Sequence, residues 1–213
     1  MRWYSEHLLP KLLNRAMDTG EIRRIRARVT AGLVGDVLEL GFGTGHNLAY
    51  LPAAVTRLLA VEPSVTSIEL ATRRISASAI PVDVIGPDGQ CLPLPDTSVD
   101  SALCTWSLCT IPDPVAAVRE VRRVLRPGGQ LHFVEHGLAP DKSVRRWQRR
   151  LNPMQRRFMG GCHLDRDIAE LLRLGGMTVT HLERYYGQEE LKAFAAMYEG
   201  KAVAASSIRS VGP

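Results

Sequence analysis

Residues 37–47 read VLELGFGTGHN, an apolar run that passes directly into a turn with three glycines. This pattern is typical of a buried parallel strand whose carboxyl end meets a ligand. Glycine permits a positive φ and a close approach of the backbone to that ligand. The dinucleotide fingerprint has a further glycine where His46 stands, so a pyrophosphate is disfavoured. A purely structural tight turn remains an alternative at this point.

Short apolar runs alternate with amphipathic segments after this stretch. DVLEL, RLLAVE, PVDVI, VDSALCT and QLHFVEH predict strands, whereas SIELATRRI and PVAAVREVRRVL have helical spacing. A helix is also predicted from about Gly45. The sequence RPGG (126–129) is expected to stop a helix and turn the chain into the next strand. The alternation predicts an α/β fold with a parallel sheet covered by helices on both faces.

The flanking segments complete a single predicted domain over residues 1–213. Helical spacing of Leu and Ile predicts two short helices within residues 3–30, and we expect residues 1–30 to form a lid over the glycine turn. Downstream, DIAELLRLGG predicts a helix, MTVTHLERYY a strand, and residues 193–203 a weakly signalled last strand. A length of 213 residues, 45% apolar, suits one core.

Composition narrows the class of protein. No stretch has the roughly 20 apolar residues of a membrane span, and the N-terminus lacks the apolar core of a signal peptide. The cysteines Cys91, Cys104, Cys109 and Cys162 lack CxxC spacing, so reduced thiols are expected. Cys104 and Cys109 lie in an apolar stretch, where cysteine usually packs as a small hydrophobe. We therefore expect a cytoplasmic protein.

Basic residues form two clusters in a chain of net charge +5. One contains Arg23, Arg24, Arg26 and Arg28; the other contains Arg145, Arg146, Arg149, Arg150, Arg156 and Arg157. Neither is interleaved with the aromatic side chains of a base-stacking surface. A solvated helix face is the favoured interpretation, ahead of an anionic substrate or membrane surface, and nucleic acid comes last.

Two carboxylates follow the second and third predicted strands. Glu62 lies 21 residues after Gly41, a spacing at which a carboxylate can bind ribose hydroxyls. Asp88 could accept a hydrogen bond from an exocyclic amine, although an ordinary Asp-Gly turn is the alternative. Together with the glycine turn they favour a nucleoside ligand.

The motifs VLELGFGTGHN, AVEPS, DGQCLPLPDTSVD and REVRRVLRPGGQLHFVEH resemble those of class I S-adenosylmethionine-dependent methyltransferases, in the type 11, ubiquinone–menaquinone-like superfamily. The likeness covers residues 28–182. FVEH, RRLNPMQRRFMGGCHLDRDI and YEG are similar to the branch with microsomal thiol methyltransferases and bacterial small-molecule or lipid methyltransferases. The resemblance implies a Rossmann-like, seven-stranded, mostly parallel sheet of order 3-2-1-4-5-7-6. Its seventh strand would be antiparallel, and S-adenosylmethionine would lie across strands 1, 2 and 4.

The resemblance also implies which residues bind this cofactor. The glycine turn would receive its methionine part, Glu62 its ribose and Asp88 its adenine amine, while Thr105 and Trp106 would face the sulfonium. Trp106 replaces an expected aliphatic residue, so stacking on a substrate is a further interpretation. The full set is Gly41, Gly43, Gly45, Asn47, Glu62, Pro63, Ser64, Asp88, Gly89, Gln90, Thr105 and Trp106.

Methyl transfer is an in-line displacement, so catalysis consists largely of positioning the nucleophile. A hydroxyl acceptor benefits from a general base, whereas a thiol ionises more readily. His136 and His163 are the candidate bases. The alternatives are a structural hydrogen bond for His136 and, for His163, a position at a helix N-terminus ahead of a capping Asp165. Glu135 could orient either histidine or satisfy local N–H groups.

We expect an enzyme that O-methylates a hydroxyl of a sugar or another polar metabolite. The alternatives are S-methylation of a thiol, N-methylation of a lipid headgroup, and a non-catalytic cofactor-binding or membrane-surface module. A nicotinamide dehydrogenase is disfavoured by His46.

The expected partner is a small-molecule acceptor, anionic, polyhydroxylated or lipid-like, beneath a cover formed by residues 141–163. Peripheral membrane contact and a homodimer are further expectations, and nucleic acid is not expected. We expect no metal, because TWSLCT supplies no carboxylates and Glu135 with His136 suits Mg²⁺ poorly.

Overall fold

The computed structural model describes residues 3–188 and 191–205. Its strands are β1 (Gly35–Leu40), β2 (Val55–Val61), β3 (Val82–Gly86), β4 (Val99–Thr105), β5 (Leu125–His136), β6 (Met177–Tyr186) and β7 (Ala196–Ala204). Its α-helices are α1 (Leu9–Ala16), α2 (Gly20–Thr30), α3 (Val65–Ala77), α4 (Pro114–Val124), α5 (Lys142–Phe158) and α6 (Ile168–Leu174). A π-helical turn covers Tyr4–Leu8, and a 3₁₀ turn covers His46–Tyr50.

The seven strands form one sheet of order β3-β2-β1-β4-β5-β7-β6. The five strands from β3 to β5 pair in parallel, and β7 runs antiparallel to both of its neighbours. Helices cover both faces. The predicted fold class, strand order and last strand are thereby confirmed.

The register brings the carboxyl ends of the central strands to one level. Leu40 of β1 lies opposite Val61 of β2 and opposite Cys104 of β4. The residues that follow these strands therefore meet at one edge of the sheet, where the strand order reverses between β1 and β4. This edge is where open α/β sheets bind ligands.

Two buried clusters pack on the sheet. In α4, Val118, Val121 and Val124 are fully buried, whereas Val115 in the first turn is half-buried. Asp113 caps this helix by accepting a hydrogen bond from the N–H of Ala116 at 3.0 Å, and Pro114 occupies its first turn. Such caps satisfy N–H groups that the helix itself leaves unpaired.

The chain after the glycine turn differs from the prediction. A single 3₁₀ turn stands where we predicted a longer helix, because Gly45 is left-handed (φ +76°) and Leu51 is extended before Pro52. A residue before proline is disfavoured in helical conformation, so the turn cannot continue. The RPGG segment also differs, since β5 already begins at Leu125. The four residues of this segment lie within β5 at a shift in its register with β4, and Gly128 has φ +85°.

Helix α1 is joined to the glycine turn through Asn14, with contributions from His46 of the turn and Arg74 of α3. His46 Nε2 lies 3.1 Å from the carbonyl oxygen of Asn14. Arg74 of α3 donates to Asn14 Oδ1 at 3.1 Å and to the Thr44 carbonyl at 3.0 Å. The residue that replaces the dinucleotide glycine therefore joins the turn to α1. Residues 1 and 2 of the predicted lid lie outside the described residues.

Within residues 3–188 and 191–205, none of the helices combines the length and the apolar character that crossing a bilayer requires.

Candidate cofactor and acceptor site

A cavity of about 960 Å³ opens at the carboxyl ends of the central strands. Its walls contain most of the residues predicted to bind the cofactor, and also His136. They are Gly41, Gly43, Glu62, Pro63, Ser64, Asp88, Gly89, Gln90, Thr105 and Trp106. Gly45, Asn47 and His163 lie outside the walls. The structure thus brings ten of the twelve predicted cofactor residues together, and their individual roles stay predictions.

The glycines of the turn have different surroundings. Gly41, Gly43 and Gly45 all have positive φ, at 70°, 57° and 76°. A Cβ on Gly41 would lie 1.8 Å from Ser107 Oγ, whereas one on Gly43 would meet only the Gly41 carbonyl at 4.0 Å. The space above Gly43 is therefore open to the cavity, as close backbone contact with a ligand requires.

Glu62 holds the glycine turn against the end of β2. Its Oε2 accepts a hydrogen bond from the N–H of Gly43, and its Oε1 accepts one from the N–H of Ser64, both at 2.8 Å. Burial raises the pKa of Glu62, and the two N–H donors act in the opposite direction. Each carboxylate oxygen has a second acceptor site. Glu62 is therefore suited to bind a vicinal diol such as that of ribose.

Asp88 forms the Asp-Gly turn that we considered, yet it also lies in the cavity wall. Its Oδ1 accepts hydrogen bonds from the backbone N–H and side-chain amide of Gln90, at 2.8 and 2.9 Å. These bonds lower the pKa of Asp88 and keep it ionised near neutral pH. A Cβ added to the buried Gly89 would lie 3.0 Å from Leu40 Cδ2. The turn and the ligand interpretations are thus compatible.

A buried polar network beneath the cavity was missed by the sequence analysis. Asn47 donates to Glu39 Oε1 at 2.6 Å and to Thr105 Oγ1 at 3.0 Å, and it accepts from Arg26 Nη1 at 2.6 Å. Asn47 is 1% exposed, so it supports the site from below. Burial raises the pKa of Glu39 to about 7 and lowers that of Arg26 to about 10.

Arg23, Arg24 and Arg28 of the first basic cluster are exposed, as the solvated-face interpretation predicts, whereas Arg26 is buried. Arg26 is 6% exposed, Arg23 pairs with Asp18 at 2.8 Å, and Arg28 pairs with Glu199 at 2.7 Å. Hydrophobic spacing alone could not separate Arg26 from its exposed neighbours. Its partners, Asn47 and Glu39, become adjacent only through the fold.

Trp106 begins the loop after β4 in a strained backbone conformation. Its φ is +53°, which is unusual for a bulky residue. The backbone N–H donates to the Val134 carbonyl at 2.8 Å, and the Arg26 guanidinium lies 5.0 Å from the indole centroid. Strain of this kind concentrates at functional sites. The side chain lies in the cavity wall, where a role beside the sulfonium or the acceptor remains a prediction.

Glu135 accepts hydrogen bonds from the backbone of the loop after β4. It is fully buried, and it accepts hydrogen bonds from the N–H groups of Ser107, Leu108 and Cys109 at 2.8 to 3.1 Å. Burial raises the pKa of Glu135, and the N–H donors oppose that shift. Of the two roles considered for Glu135, the local satisfaction of N–H groups is the one observed.

Two cysteines and a histidine lie close together in the cavity wall. Cys109 Sγ lies 3.7 Å from Cys162 Sγ, which lies 4.0 Å from His136 Nδ1. All three side chains line the cavity. Contact with the Cys109 thiol and the nearby His136 lower the pKa of Cys162, while burial opposes them. Cys109 is buried as expected, yet it faces chemically active neighbours rather than only apolar ones.

His163 lies behind this wall. Its backbone N–H donates to the Cys109 carbonyl at 2.8 Å, and its Nδ1 is 3.9 Å from Asp165 Oδ1. The predicted cap at Asp165 is wrong, because Asp167 caps α6 through the N–H of Glu170 at 3.3 Å. Of the two histidines proposed as a base, His136 therefore has the better access to the cavity.

The methyltransferase domain family matches residues 38–133. With the strand order and the motif positions already described, this match decides the assignment. The chain contains a class I methyltransferase domain. S-adenosylmethionine is the cofactor of this family. The residues present suit it: the wall offers an open glycine, a carboxylate for a diol and a carboxylate for an amine.

Curated relatives place this methyltransferase domain near thiol methyltransferases. Human thiol S-methyltransferase TMT1B is 32% identical over 70% of this chain and 62% of the relative, and the rat protein is 33% identical over 62% and 55%. Demethylmenaquinone methyltransferase from Clavibacter sepedonicus is 31% identical over 56% and 49%. The chain thus spans 55% to 62% of the length of these two thiol methyltransferases.

Solved structures support the methyltransferase fold. The [4+2]-cyclase SpnF superposes with a TM-score of 0.68 at 20% identity, over 86% of this chain and 80% of that chain. A SAM-dependent methyltransferase from Thermotoga maritima gives 0.64 at 21% identity, over 93% and 99%. Because one of these neighbours is described as a cyclase, the fold alone does not define the reaction.

Proposed function

We propose that this protein transfers the methyl group of S-adenosylmethionine to the sulfur of a small, largely apolar thiol. The proposal rests on one part of the cavity wall, where Cys109, His136 and Cys162 lie close together among apolar side chains. We call this part the acceptor end of the cavity. The identity to thiol S-methyltransferases, 32% in the human protein, supports the same acceptor.

The apolar part of this wall comes from several elements. It includes Leu9 and Leu13 of α1, together with Ile111, Met159 and Phe194. A sugar would bring several hydroxyl groups, and burying them without hydrogen-bond partners would cost about 1 to 3 kcal/mol each. An apolar thiol avoids that cost. The wall therefore favours a thiol over the polyhydroxylated acceptor that we first expected.

A thiol also places a smaller demand on proton transfer. Its unperturbed pKa of about 8.5 leaves a few per cent as thiolate at neutral pH. The chain then has to hold the sulfur in line with the methyl group and to exclude water. Glu135 and Arg166 serve this positioning, because Glu135 accepts N–H groups of the loop after β4 and Arg166 donates to its Leu108 and Ile111 carbonyls.

O-methylation of a hydroxyl is the second candidate. It is supported by His136, which lines the cavity as a general base should. N-methylation of a lipid headgroup is less well supported, because the described cavity wall contains none of the arginines of α5, four of whose basic residues line a separate pocket.

Acceptors that differ in one atom test the proposal. A monothiol, the alcohol and the amine of the same carbon skeleton are incubated with the protein and S-adenosylmethionine, and the methylated product and S-adenosylhomocysteine are quantified together. We expect the thioether to form at least about tenfold faster than the other products. Faster methylation of the alcohol, lost in His136→Gln, would replace the thiol with a hydroxyl. Formation of none of the products would contradict a transferase.

A further inference from the structure

Three potential metal ligands converge at the acceptor end of the cavity from three parts of the chain. Cys109 lies in the loop after β4, His136 ends β5, and Cys162 follows α5. One ligand atom from each lies within 4.8 Å of the other two. Both cysteines are free thiols. The spacing of 53 residues between Cys109 and Cys162 gave no local motif from which to predict a site.

Two of the three separations are close to those around a tetrahedral ion. Zinc bonds of about 2.3 Å to sulfur and about 2.0 to 2.1 Å to nitrogen place two sulfurs about 3.8 Å apart, and a sulfur and a nitrogen about 3.6 Å apart. The observed distances are 3.7 Å between the sulfurs and 4.0 Å from Cys162 Sγ to His136 Nδ1. Small side-chain movements would therefore complete three bonds to one ion.

The backbone around the cluster is held by the rest of the fold. Glu135 accepts the N–H of Cys109 at 3.1 Å, and the N–H of His163 donates to the Cys109 carbonyl at 2.8 Å. Asn152 of α5 accepts the N–H of Leu164 at 2.9 Å, next to the Cys162 segment. These contacts tie the loop after β4 to the segment after α5. The cluster is thus fixed in place before any ion binds.

We propose that Cys109, His136 and Cys162 bind one thiophilic divalent cation, of which Zn²⁺ is the prime example, with a fourth position open to the cavity. All three ligands line that cavity. Three protein ligands with one open position is the arrangement of catalytic rather than structural zinc. We first expected no metal and interpreted Cys109 as a small packed hydrophobe; the convergence of two cysteines and a histidine is the observation that argues for a site.

The open position accepts the sulfur of the methyl acceptor, a role that rests on the proposed thiol methylation. On coordination the acceptor R–SH releases its proton to solvent and is held as R–S⁻. An electron pair of this sulfur then forms the bond to the methyl carbon, and the bond from that carbon to the sulfonium breaks. The products are the thioether R–S–CH₃ and neutral S-adenosylhomocysteine. The thioether is an uncharged, weaker ligand, so it leaves, and the ion does not change its oxidation state.

Cobalt is the spectroscopic probe for this site. The full chain, reduced and freed of metal, is titrated with Co²⁺ and followed by absorption spectroscopy. We expect one equivalent to produce thiolate-to-cobalt charge transfer and the visible bands of tetrahedral cobalt, and Zn²⁺ to abolish both. Cys109→Ser and Cys162→Ser should each lower the affinity at least about a hundredfold. Cys91→Ser, which removes an exposed cysteine, is the matched control and should leave the spectrum unchanged.

Two results would overturn the site. One is the absence of thiolate bands in wild-type protein whose thiols are shown to be reduced. The other is bands that persist in the Cys109→Ser/Cys162→Ser double variant, with its fold confirmed by a cooperative thermal transition.

Addition of the monothiol to the cobalt protein separates this inference from the proposed function. A shift of the visible bands on addition of the thiol, and not of the matched alcohol, supports coordination of the acceptor. If the bands shift but no thioether forms with S-adenosylmethionine, the thiol methylation fails and the metal site stands. If thioether forms at the wild-type rate in the chelator-treated, metal-free chain, the catalytic role of the ion is wrong while the thiol methylation stands.

Discussion

Gly41 and Gly43 share a left-handed backbone but perform different tasks. Alanine at Gly41 brings its Cβ to 1.8 Å from Ser107 Oγ, in addition to the cost of φ +70°. We expect Gly41→Ala to lower the free energy of unfolding by about 2 kcal/mol or more. Chemical denaturation measures this loss.

Gly43→Ala should fold but bind cofactor poorly. Its Cβ would point into open space and meet protein only at 4.0 Å, so the loss of stability should stay near the backbone cost of about 1 kcal/mol. The same methyl group occupies the space that a ligand needs, so S-adenosylhomocysteine should bind about tenfold more weakly or worse. Unchanged affinity in Gly43→Ala would show that the ligand does not approach this turn.

The raised pKa of Glu39 predicts a pH dependence of stability that comparison with the Glu39→Gln variant can measure separately from other titrating groups. Its pKa is raised from 4.5 to about 7 by burial, against the hydrogen bond from Asn47 and the charge of Arg26. Because the folded state holds this proton more tightly, the stabilisation is complete below about pH 4.5 and is lost as the pH rises through 7. Relative to Glu39→Gln, the wild type should therefore lose stability over this range, by about 3 kcal/mol.

Denaturant unfolding of both proteins at several pH values tests this prediction. The other titrating groups are common to the pair, so their contributions cancel in the difference. Glu69→Gln, at an exposed position of α3, is the control for the loss of a surface carboxylate. A constant difference between wild type and Glu39→Gln would contradict the raised pKa.

At the level of residues, the sequence predicted those site residues that follow the end of a strand at a short, fixed distance along the chain. Glu62 directly follows β2, Asp88 is the second residue after β3, and both line the cavity. The contacts of Asn47 with Arg26 and Glu39 could not be predicted, because they join residues from three elements. The same holds for Cys109 and Cys162, which only the docking of α5 brings together.

At the level of elements, Arg74 connects α3 to α1 and to the glycine turn. It donates to Asn14 Oδ1 at 3.1 Å and to the Thr44 carbonyl at 3.0 Å. Arg74→Met removes both hydrogen bonds, worth about 1 kcal/mol each, and should loosen α1 over the cavity. We expect S-adenosylhomocysteine to bind about fivefold more weakly, chiefly through faster dissociation.

Arg73→Met is the control, because its side chain is exposed on the same turn of α3. Stopped-flow displacement of the bound product measures both dissociation rates. Equal rates for the two variants would mean that α1 does not close the cofactor site.

Whether a segment forms a helix or a strand was predictable wherever its apolar pattern extended over many residues. The strands of the parallel core and α4 have clear apolar patterns, and all were confirmed. The 3₁₀ turn after Gly45 was not predicted, because Pro52 ends the helical segment before an α-helix can form. The sequence indicated strand β7 only weakly. Its strand conformation depends on pairing with β5 and β6 rather than on the local preference of its residues.

For the whole molecule, exposed apolar side chains lie on the N-terminal helices and on the basic helix α5. Trp3 and Leu12 near the N-terminus are 67% and 49% exposed, and Trp147 and Phe158 of α5 are 56% and 47% exposed. Tyr4 Oη donates to the Phe158 carbonyl at 3.2 Å, so the two segments are adjacent. The arginines of the second cluster belong to the same helix. We propose that these segments contact anionic membranes peripherally, through apolar contact and charge attraction.

Cosedimentation with vesicles tests the membrane proposal. We expect binding to vesicles that contain anionic lipid, weaker binding at high salt, and a loss of about tenfold in Trp147→Ser/Phe158→Ser. Leu174→Ser, which changes an exposed apolar residue at the end of α6, should have no effect. Binding that is equal for neutral and anionic vesicles would contradict the role of the arginines. The cytoplasmic location, a homodimer and the absence of nucleic-acid binding stay predictions.

The central claim is that the cavity beside the glycine turn binds S-adenosylmethionine with its adenine at Asp88. Calorimetric titration with S-adenosylhomocysteine tests it directly. We predict one binding site per chain and a loss of affinity of at least about tenfold in Asp88→Asn, because the remaining amide oxygen is engaged by Gln90 and the amide NH₂ would face the adenine amine. Asp83→Asn, at an exposed position of β3, should bind like wild type. No saturable heat with wild type, or equal affinity in Asp88→Asn, would contradict the account.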